Sequence, residues 1–279
     1  MNDALRAEGP VGVGIRNVDF FHGPYQVLRQ ISLDLLPGRH YIVAGPNGAG
    51  KSTLLDLLAN LRRPRSGRIC VGERDIASFA PGGLARIIAL APQEFRLDFS
   101  FSVREIVAMG RRPYLDRWGR LGKEDEEMVE NALLDMRLDR IADKSVMTLS
   151  GGEKRRCIVA RALAQDTPVI LLDEPCSGLD IAQALSTMAL ARKKAEEGAL
   201  VVTVSHDLNL AARYGHELIL LRDGALAASG PVENVFTGSV LSETYQADAR
   251  VNRDAYTGAL TASFDLKPAP IDPASEFKA

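Results

Sequence analysis

The chain has 279 residues, of which 46% are hydrophobic and 25% charged, an ordinary globular composition long enough for one large core; disorder as the main state is excluded. A formal net charge of -2 supplies no whole-molecule field to hold a polyanion, so nucleic acid is not expected as a partner. Cys70, Cys157 and Cys176 are far apart and lack C-x-x-C spacing, which argues against a disulfide framework or a zinc site and fits a reducing compartment. Residues 1–10 hold no apolar core of signal-peptide length, and no later run approaches the ~18–20 apolar residues that span a bilayer, so work at a membrane is expected to pass through a partner.

Residues 11–21 and 26–36 alternate or run apolar with β-branched side chains, and Pro37-Gly38 separates them from a second apolar run at 40–44. These predict strands feeding a glycine-rich loop. Beyond the loop, Leu54, Leu55, Leu57, Leu58 and Leu61 have helical spacing over 52–61, with Pro64 and Gly67 as a stop signal. From 99 to about 147 the texture changes: Ser102 and Glu105 form a capping-box pattern opening a short helix, and 123–138 carries apolar and acidic residues at helical spacing. A helical insertion over about 99–165 is therefore expected. Farther on, β-like runs at 169–172 and 200–204 alternate with helical stretches at 180–197 and 207–213, the pattern of a mainly parallel sheet with crossover helices. Asp223-Gly224 between apolar runs predicts a late hairpin. One domain over 11–265 is expected, with 266–279, rich in Pro, Ala and charge, as a loose tail.

The glycine loop reads Gly45-Pro46-Asn47-Gly48-Ala49-Gly50-Lys51-Ser52-Thr53, which matches G-x-x-x-x-G-K-[ST] between a predicted strand and a predicted helix. Glycines let successive N–H groups turn inward toward phosphate oxygens, and the following helix adds its positive end. Lys51 is expected on the β- and γ-phosphates of ATP and Ser52 on Mg²⁺. The run Val169-Ile170-Leu171-Leu172-Asp173-Glu174 delivers two carboxylates to the C-terminal end of a buried strand, where ligands collect in parallel sheets. Asp173 is expected to hold Mg²⁺ through water, and Glu174 to orient or polarise the attacking water. A third element, Ser150-Gly151-Gly152-Glu153 after Leu149, again has capping-box spacing and exposes a helix start without bulky side chains, a second anion site. One nucleotide does not need two such sites on one chain. A head-to-tail dimer accounts for the excess, each chain giving its phosphate loop to one ATP and its Ser150 loop to the other.

In this order, GPNGAGKST, LSGGE and VILLDEP resemble the ATP-binding subunit of ABC transporters, over about residues 13–264. The resemblance implies an ATPase with an α/β fold: a P-loop NTPase core with a mainly parallel sheet, an N-terminal antiparallel β region and an inserted α-helical subdomain. It implies that Gln93 contacts Mg²⁺ and water and leads into the helical subdomain. It further implies that Ser177-Gly178-Leu179-Asp180 crosses the dimer interface and that His206 touches the γ-phosphate. Alignment on Val27-Leu28 puts His22 at the adenine-stacking position, with Phe21 and Tyr25 beside it, and any of the three rings offers a π-face. Each residue also has a plainer reading: Asp180 as a helix cap, Gln93 as a solvated side chain, His206 as a structural histidine. Two departures are visible, Arg155 where such proteins often have glutamine and Cys176 where threonine is common; neither is expected to carry the chemistry.

Phe99-Ser100-Phe101-Ser102-Val103, followed by Met109-Gly110-Arg111-Arg112-Pro113-Tyr114, is similar to subunits serving importers of iron-siderophore, haem and cobalamin. Molybdate or tungstate importers remain an alternative, as does a soluble ABC ATPase without transport. A single cassette without sustained heptads favours a transporter subunit, and the Ser150 loop argues against a P-loop kinase or GTPase. The implied partners are a second copy, separate permease subunits contacted near residues 93–101 and, indirectly, a solute-binding protein, with the chain peripheral on the cytoplasmic face of the inner membrane. Arg111, Arg112, Arg117 and Arg120 around Trp118 are expected to be a solvated face or a contact to the membrane partner.

Overall fold

The computed structural model describes residues 11–93 and 100–266. Phe99, most of the expected permease contact at 93–101 and the tail from 267 lie outside the described residues.

The chain opens with an antiparallel pair, β1 (Val13–His22) and β2 (Tyr25–Leu35), then enters β3 (His40–Ala44) and α1 (Lys51–Leu58). β4 (Ser66–Val71) and β5 (Arg74–Asp75) return to the first pair before a short α2 (Pro81–Leu84) and β6 (Ile88–Ala91). A helical stretch follows, with α3 (Val103–Ala108), α4 (Lys123–Asp135) and α5 (Gly151–Ala164). The chain then alternates through β7 (Val169–Asp173), α6 (Ile181–Glu196), β8 (Leu200–Val204) and α7 (Leu208–Tyr214) into the hairpin β9 (Glu217–Arg222) and β10 (Ala225–Pro231). It closes with α8 (Val232–Val235), α9 (Gly238–Tyr245) and a second hairpin, β11 (Asp248–Arg253) and β12 (Leu260–Asp265).

The central sheet runs β10-β9-β3-β8-β7-β6, parallel except for β10, beside an antiparallel sheet in the order β2-β1-β4-β5. Two-residue periodicity explains why the inner strands read as unbroken apolar runs, because both faces are covered. On β7, Val169 and Leu171 enter the core shared with the antiparallel sheet and α1, whereas Ile170 and Leu172 enter a second core formed with α3, α4 and α5. On β3, Tyr41 and Val43 take the first core, while Ile42 and Ala44 face a third one built with α7, α8 and α9. Each such buried aliphatic contributes ~1.5–3 kcal/mol, so the strand ends between these cores are rigid supports for what they carry.

Several boundaries differ from the sequence reading. The helix expected over 52–61 ends at Leu58, because Asn60 turns the chain with φ 55° and leaves Leu61 exposed. The helix expected to 138 ends at Asp135, where Arg137 takes φ 53°. The Asp223-Gly224 turn forms as expected, with both residues at positive φ, 51° and 78°. Strands β4, β5, β6, β11 and β12 and helices α2, α8 and α9 have no counterpart in the sequence reading.

Arg111 leaves the predicted basic face. It is buried, pairs with Asp125 at 2.8 Å and donates to the carbonyls of Ala164 and Gln165, so it braces α4 against the end of α5. An arginine placed this way spends its donors inside the protein and is unavailable to a partner.

Candidate functional site

The glycine loop lies between β3 and α1, at the C-terminal edge of the central sheet. Gly45 sits at φ 143°, and a Cβ there would collide with the Leu221 carbonyl; Gly50 sits at φ 95°, with Leu28 Cδ2 only 2.6 Å from where a Cβ would be. Both positions require glycine for conformation and for space. Gly50 caps α1 with no side-chain acceptor, and the first turn holds no acidic residue, so the leading N–H groups of α1 keep their full donor capacity. Lys51 is buried and its Nζ donates to the carbonyls of Gly45 and Pro46, both at 2.9 Å. Burial lowers its pKa, opposed by the nearby charges of Glu174 and Asp173.

β7 ends in the two carboxylates. Asp173 is buried, which raises its pKa, while a hydrogen bond from Ser52 Oγ at 3.3 Å acts in the opposite sense. Glu174 adopts a left-handed backbone, φ 50°, and its side chain is 13% exposed. Left-handed conformation in a non-glycine residue costs ~1–2 kcal/mol and persists only where the surroundings over-determine it. Here the Glu174 N–H donates to the Val204 carbonyl at 3.1 Å, and its carbonyl accepts from Ser177 N–H at 3.1 Å. Gln93 Nε2 donates to one carboxylate oxygen at 3.0 Å, and His206 Nε2 meets the other.

Thus Lys51, Ser52, Asp173, Glu174, Gln93 and His206, drawn from four segments, converge in one place. Ser52 Oγ, the Asp173 carboxylate and the Gln93 amide oxygen are a hard-oxygen set that suits magnesium, which takes one or two carboxylates and completes its shell with water and phosphate. The remaining candidates lie in other surroundings. Ser150 and Glu153 close a capping box on the start of α5, with each side chain accepting from the other's backbone N–H at 3.2 and 2.8 Å. Gly152 abuts the turn before α6, since a Cβ there would stand 3.2 Å from the Gly178 carbonyl. Asp180 caps α6 by accepting from Gln183 N–H at 2.8 Å. His22 and Tyr25 are exposed at the turn of the β1–β2 hairpin, and the Phe21 ring carries Arg65 at 4.6 Å.

Arg155, expected to stand apart from the chemistry, is buried and directs its guanidinium at the backbone of Pro92, Gln93, Asp173 and Glu174. The only sequence signal was its departure from glutamine. Cys176 is half-buried, its Sγ near the Ala184 carbonyl at 3.7 Å, and burial pushes its thiol up to about 11. Tyr245 of α9 has no signal in the sequence: burial pushes its hydroxyl up to about 12, opposed by the Gly45 backbone.

A P-loop at a sheet edge, a strand ending in paired carboxylates and a glycine-rich capped helix define a nucleotide-hydrolysing cassette. A family profile described as ABC transporter matches residues 28–177, and the chain belongs to this family as an ATP-binding and hydrolysing subunit. The chain is 38% identical over 252 residues to the hemin import ATP-binding protein HmuV of Thermobifida fusca, covering 90% of this chain and 87% of that protein. It is 35% identical over 251 residues to the probable siderophore transport system ATP-binding protein YusV of Bacillus subtilis, covering 90% and 91%. Among solved structures, it resembles a chain described as part of a metal-chelate type ABC transporter in an inward-facing conformation, with TM-score 0.78, 28% identity and coverage of 91% of this chain and 96% of that one. It also resembles an ATP-binding cassette in a dimeric post-hydrolysis state bound to ADP and Pi, with TM-score 0.71, 30% identity and coverage of 79% and 98%.

Proposed function

We propose that two copies of this chain close head to tail around two Mg-ATP molecules and drive uptake of a metal chelate of siderophore, haem or cobalamin type through a separate permease. The observation that carries the catalytic part is the Glu174 carboxylate held between Gln93 and His206 beside the Ser52–Asp173 pair. The cargo class rests on the hemin, cobalamin and siderophore import proteins among the relatives.

In this reading the N–H groups of residues 45–53 cradle the phosphates, with Lys51 on the β- and γ-oxygens and Ser52 and Thr53 at the helix start. Ser52, Gln93 and Asp173 would hold magnesium, which when bound would offset charge on the transferred phosphoryl group. Glu174 accepts a hydrogen bond from the attacking water and aims it, and His206 shares that carboxylate and reaches toward the γ-phosphate. Ser150, Gly151 and Gly152 of the second copy complete each site, Asp180 stands at the interface between copies, and His22 lies against adenine. Exposed Ile181, directly after Asp180, suits a surface covered on closure. Residues 11–265 act as one ATPase unit, and the core joining α3, α4 and α5 supports treating about 99–165 as a helical insertion that moves with the permease.

No helix among the described residues is long and apolar enough to cross a membrane, and the proposed station is the cytoplasmic face of the inner membrane, held there by the permease and fed from outside by a solute-binding protein. Replacing Glu174 by Gln tests the site: turnover falls ~10²–10⁴-fold while ATP binding persists and a closed dimer accumulates in size-exclusion chromatography. Normal turnover in that variant removes Glu174 from the role. Co-purification of the permease, followed by ATP-dependent uptake into proteoliposomes, decides the cargo; transport of molybdate or tungstate instead of a chelate overturns the cargo assignment.

A further inference from the structure

β6 and β7 are neighbouring parallel strands whose pairing ends at Ala91 opposite Leu172. Past that point the next residue on the β6 side is Pro92, which has no N–H to extend the ladder. The carbonyls of Pro92 and Gln93 on one strand end, and those of Asp173 and Glu174 on the other, lie past the end of the ladder that pairs the two strands. Arg155 bridges them. Its Nη1 donates to Pro92 O at 2.7 Å and Gln93 O at 2.9 Å, its Nε donates to Glu174 O at 2.9 Å, and its Nη2 donates to Glu174 O at 2.5 Å and to Asp173 O. The residue is only 7% exposed, and among the described residues every hydrogen bond of its guanidinium ends on a backbone carbonyl. Burying a cation is costly unless its donors are used, and a planar fork with five N–H groups is the one side chain that can serve four carbonyls at once.

We infer that Arg155 is a positioning residue for ATP hydrolysis, which clamps the ends of β6 and β7 so that Gln93 and Glu174 keep their mutual geometry, and which ties both to the helix that begins at Ser150. Two observations make the clamp more than structural filling. Glu174 is held at φ 50°, and Arg155 supplies two of the hydrogen bonds on its carbonyl, so this side chain joins the Val204 and Ser177 contacts in holding the strained backbone that aims the carboxylate. The Gln93–Glu174 hydrogen bond at 3.0 Å joins side chains from the same two segments whose carbonyls Arg155 holds, so a shift of either strand end separates them. Arg155 also lies on α5, within two turns of the Ser150 cap, so the helix start proposed to meet the partner's ATP and the carboxylate proposed to act on this chain's own ATP are joined through one guanidinium. This rests on the reading of Glu174 and Gln93 given above.

The test is steady-state ATP hydrolysis and nucleotide binding by the full-length chain carrying Arg155→Met, Arg155→Lys or Arg155→Gln, with the wild type and Glu174→Gln measured alongside. Misplacing a catalytic group by about 1 Å costs on the order of 100-fold, so Arg155→Met is expected to lower kcat by ~30–100-fold with KM for ATP within ~3-fold of wild type. Lys and Gln, which retain some of the donors, are expected to fall between, with losses of ~3–30-fold. Because Arg155 acts by placing Gln93 against Glu174, adding Arg155→Met to Glu174→Gln is expected to cost little more than Glu174→Gln alone, whereas independent roles multiply. Should the Met variant fail to fold by circular dichroism, the Lys and Gln variants carry the test alone. Folded variants with kcat within twofold of wild type overturn the inference, as does a loss confined to KM or a multiplicative double mutant. Failure of the underlying site reading is distinguishable, because it appears as an active Glu174→Gln protein whatever the Arg155 variants do.

Discussion

The two glycine-rich helix starts of this chain look alike in sequence and differ in what they leave available. At α1 the cap is Gly50, with no side-chain acceptor, no acidic residue in the first turn and Lys51 as the first helical residue. At α5 the cap is Ser150, its hydroxyl already accepts from Glu153 N–H, and the Glu153 carboxylate occupies the Ser150 N–H and Oγ at 2.8 Å each. Those hydrogen bonds hold the Glu153 carboxyl below its usual range, with the backbone N–H of Ser150 as the largest contribution. One helix start thus presents open donors and a cation; the other is closed on itself and carries an anion. In the proposed dimer the first binds phosphate within one chain, and the second contributes where the other chain's lysine would already hold the nucleotide. The asymmetry is the physical reason for assigning the loops to opposite sides of a shared site.

The comparison breaks most sharply at the glycines. Gly45→Ala is expected to cost more than ~3 kcal/mol, because it combines left-hand-side backbone strain with a collision against the Leu221 carbonyl; chemical denaturation checks it, and a near-native midpoint would show that the loop tolerates a side chain. Lys51→Ala removes charge-assisted hydrogen bonds worth ~1.5–3 kcal/mol, so ATP affinity should weaken by about 10–100-fold in a nucleotide-binding titration, and unchanged affinity contradicts the loop assignment.

A smaller effect tests the support beneath the loop. His40, at the start of β3, is fully buried between the Thr203 hydroxyl at 2.8 Å and the Tyr214 carbonyl at 3.1 Å, with the His216 ring against its backbone N–H. Burial pushes its pKa down to about 3 from 6.5, so between those values the unfolded chain takes up a proton that the folded chain refuses. This contribution to stability is intact above pH 6.5 and declines as pH falls, by ~1.4 kcal/mol per unit once well below 6.5. Thermal unfolding from pH 7.5 to 5.5 should show the decline, and His40→Gln should flatten it.

At the second helix start the expected effects are smallest. Ser150→Ala removes one cap and should cost ~1 kcal/mol, a drop of a few degrees in Tm, while leaving ATP affinity of the single chain unchanged. Gly151 has open space where a Cβ would be, and Gly151→Ala should be neutral or stabilising by up to ~1 kcal/mol, in contrast to Gly45→Ala. Equal destabilisation at both glycines would erase the distinction between the loops.

What the sequence by itself determined are the features whose physics is contiguous along the chain. The strand–loop–helix order around 45–53, the buried run ending in Asp173 and Glu174, the Ser102–Glu105 and Ser150–Glu153 capping boxes and the Asp223-Gly224 turn all arise from neighbours a few residues apart, and the structure forms each of them. Tertiary structure alone decided the rest. The β11–β12 hairpin is mostly half-buried or exposed, so it has no strong apolar alternation to read, and it docks on α7 through Asn209 and the Ala262 N–H. Arg111 reads as one of four surface arginines until Asp125 and the end of α5 enclose it. Arg155 reads as a substitution after a motif until carbonyls 62, 63, 18 and 19 residues away converge on its guanidinium. A donor's partner, unlike a helix cap or a glycine turn, is set by which strand ends the fold places side by side.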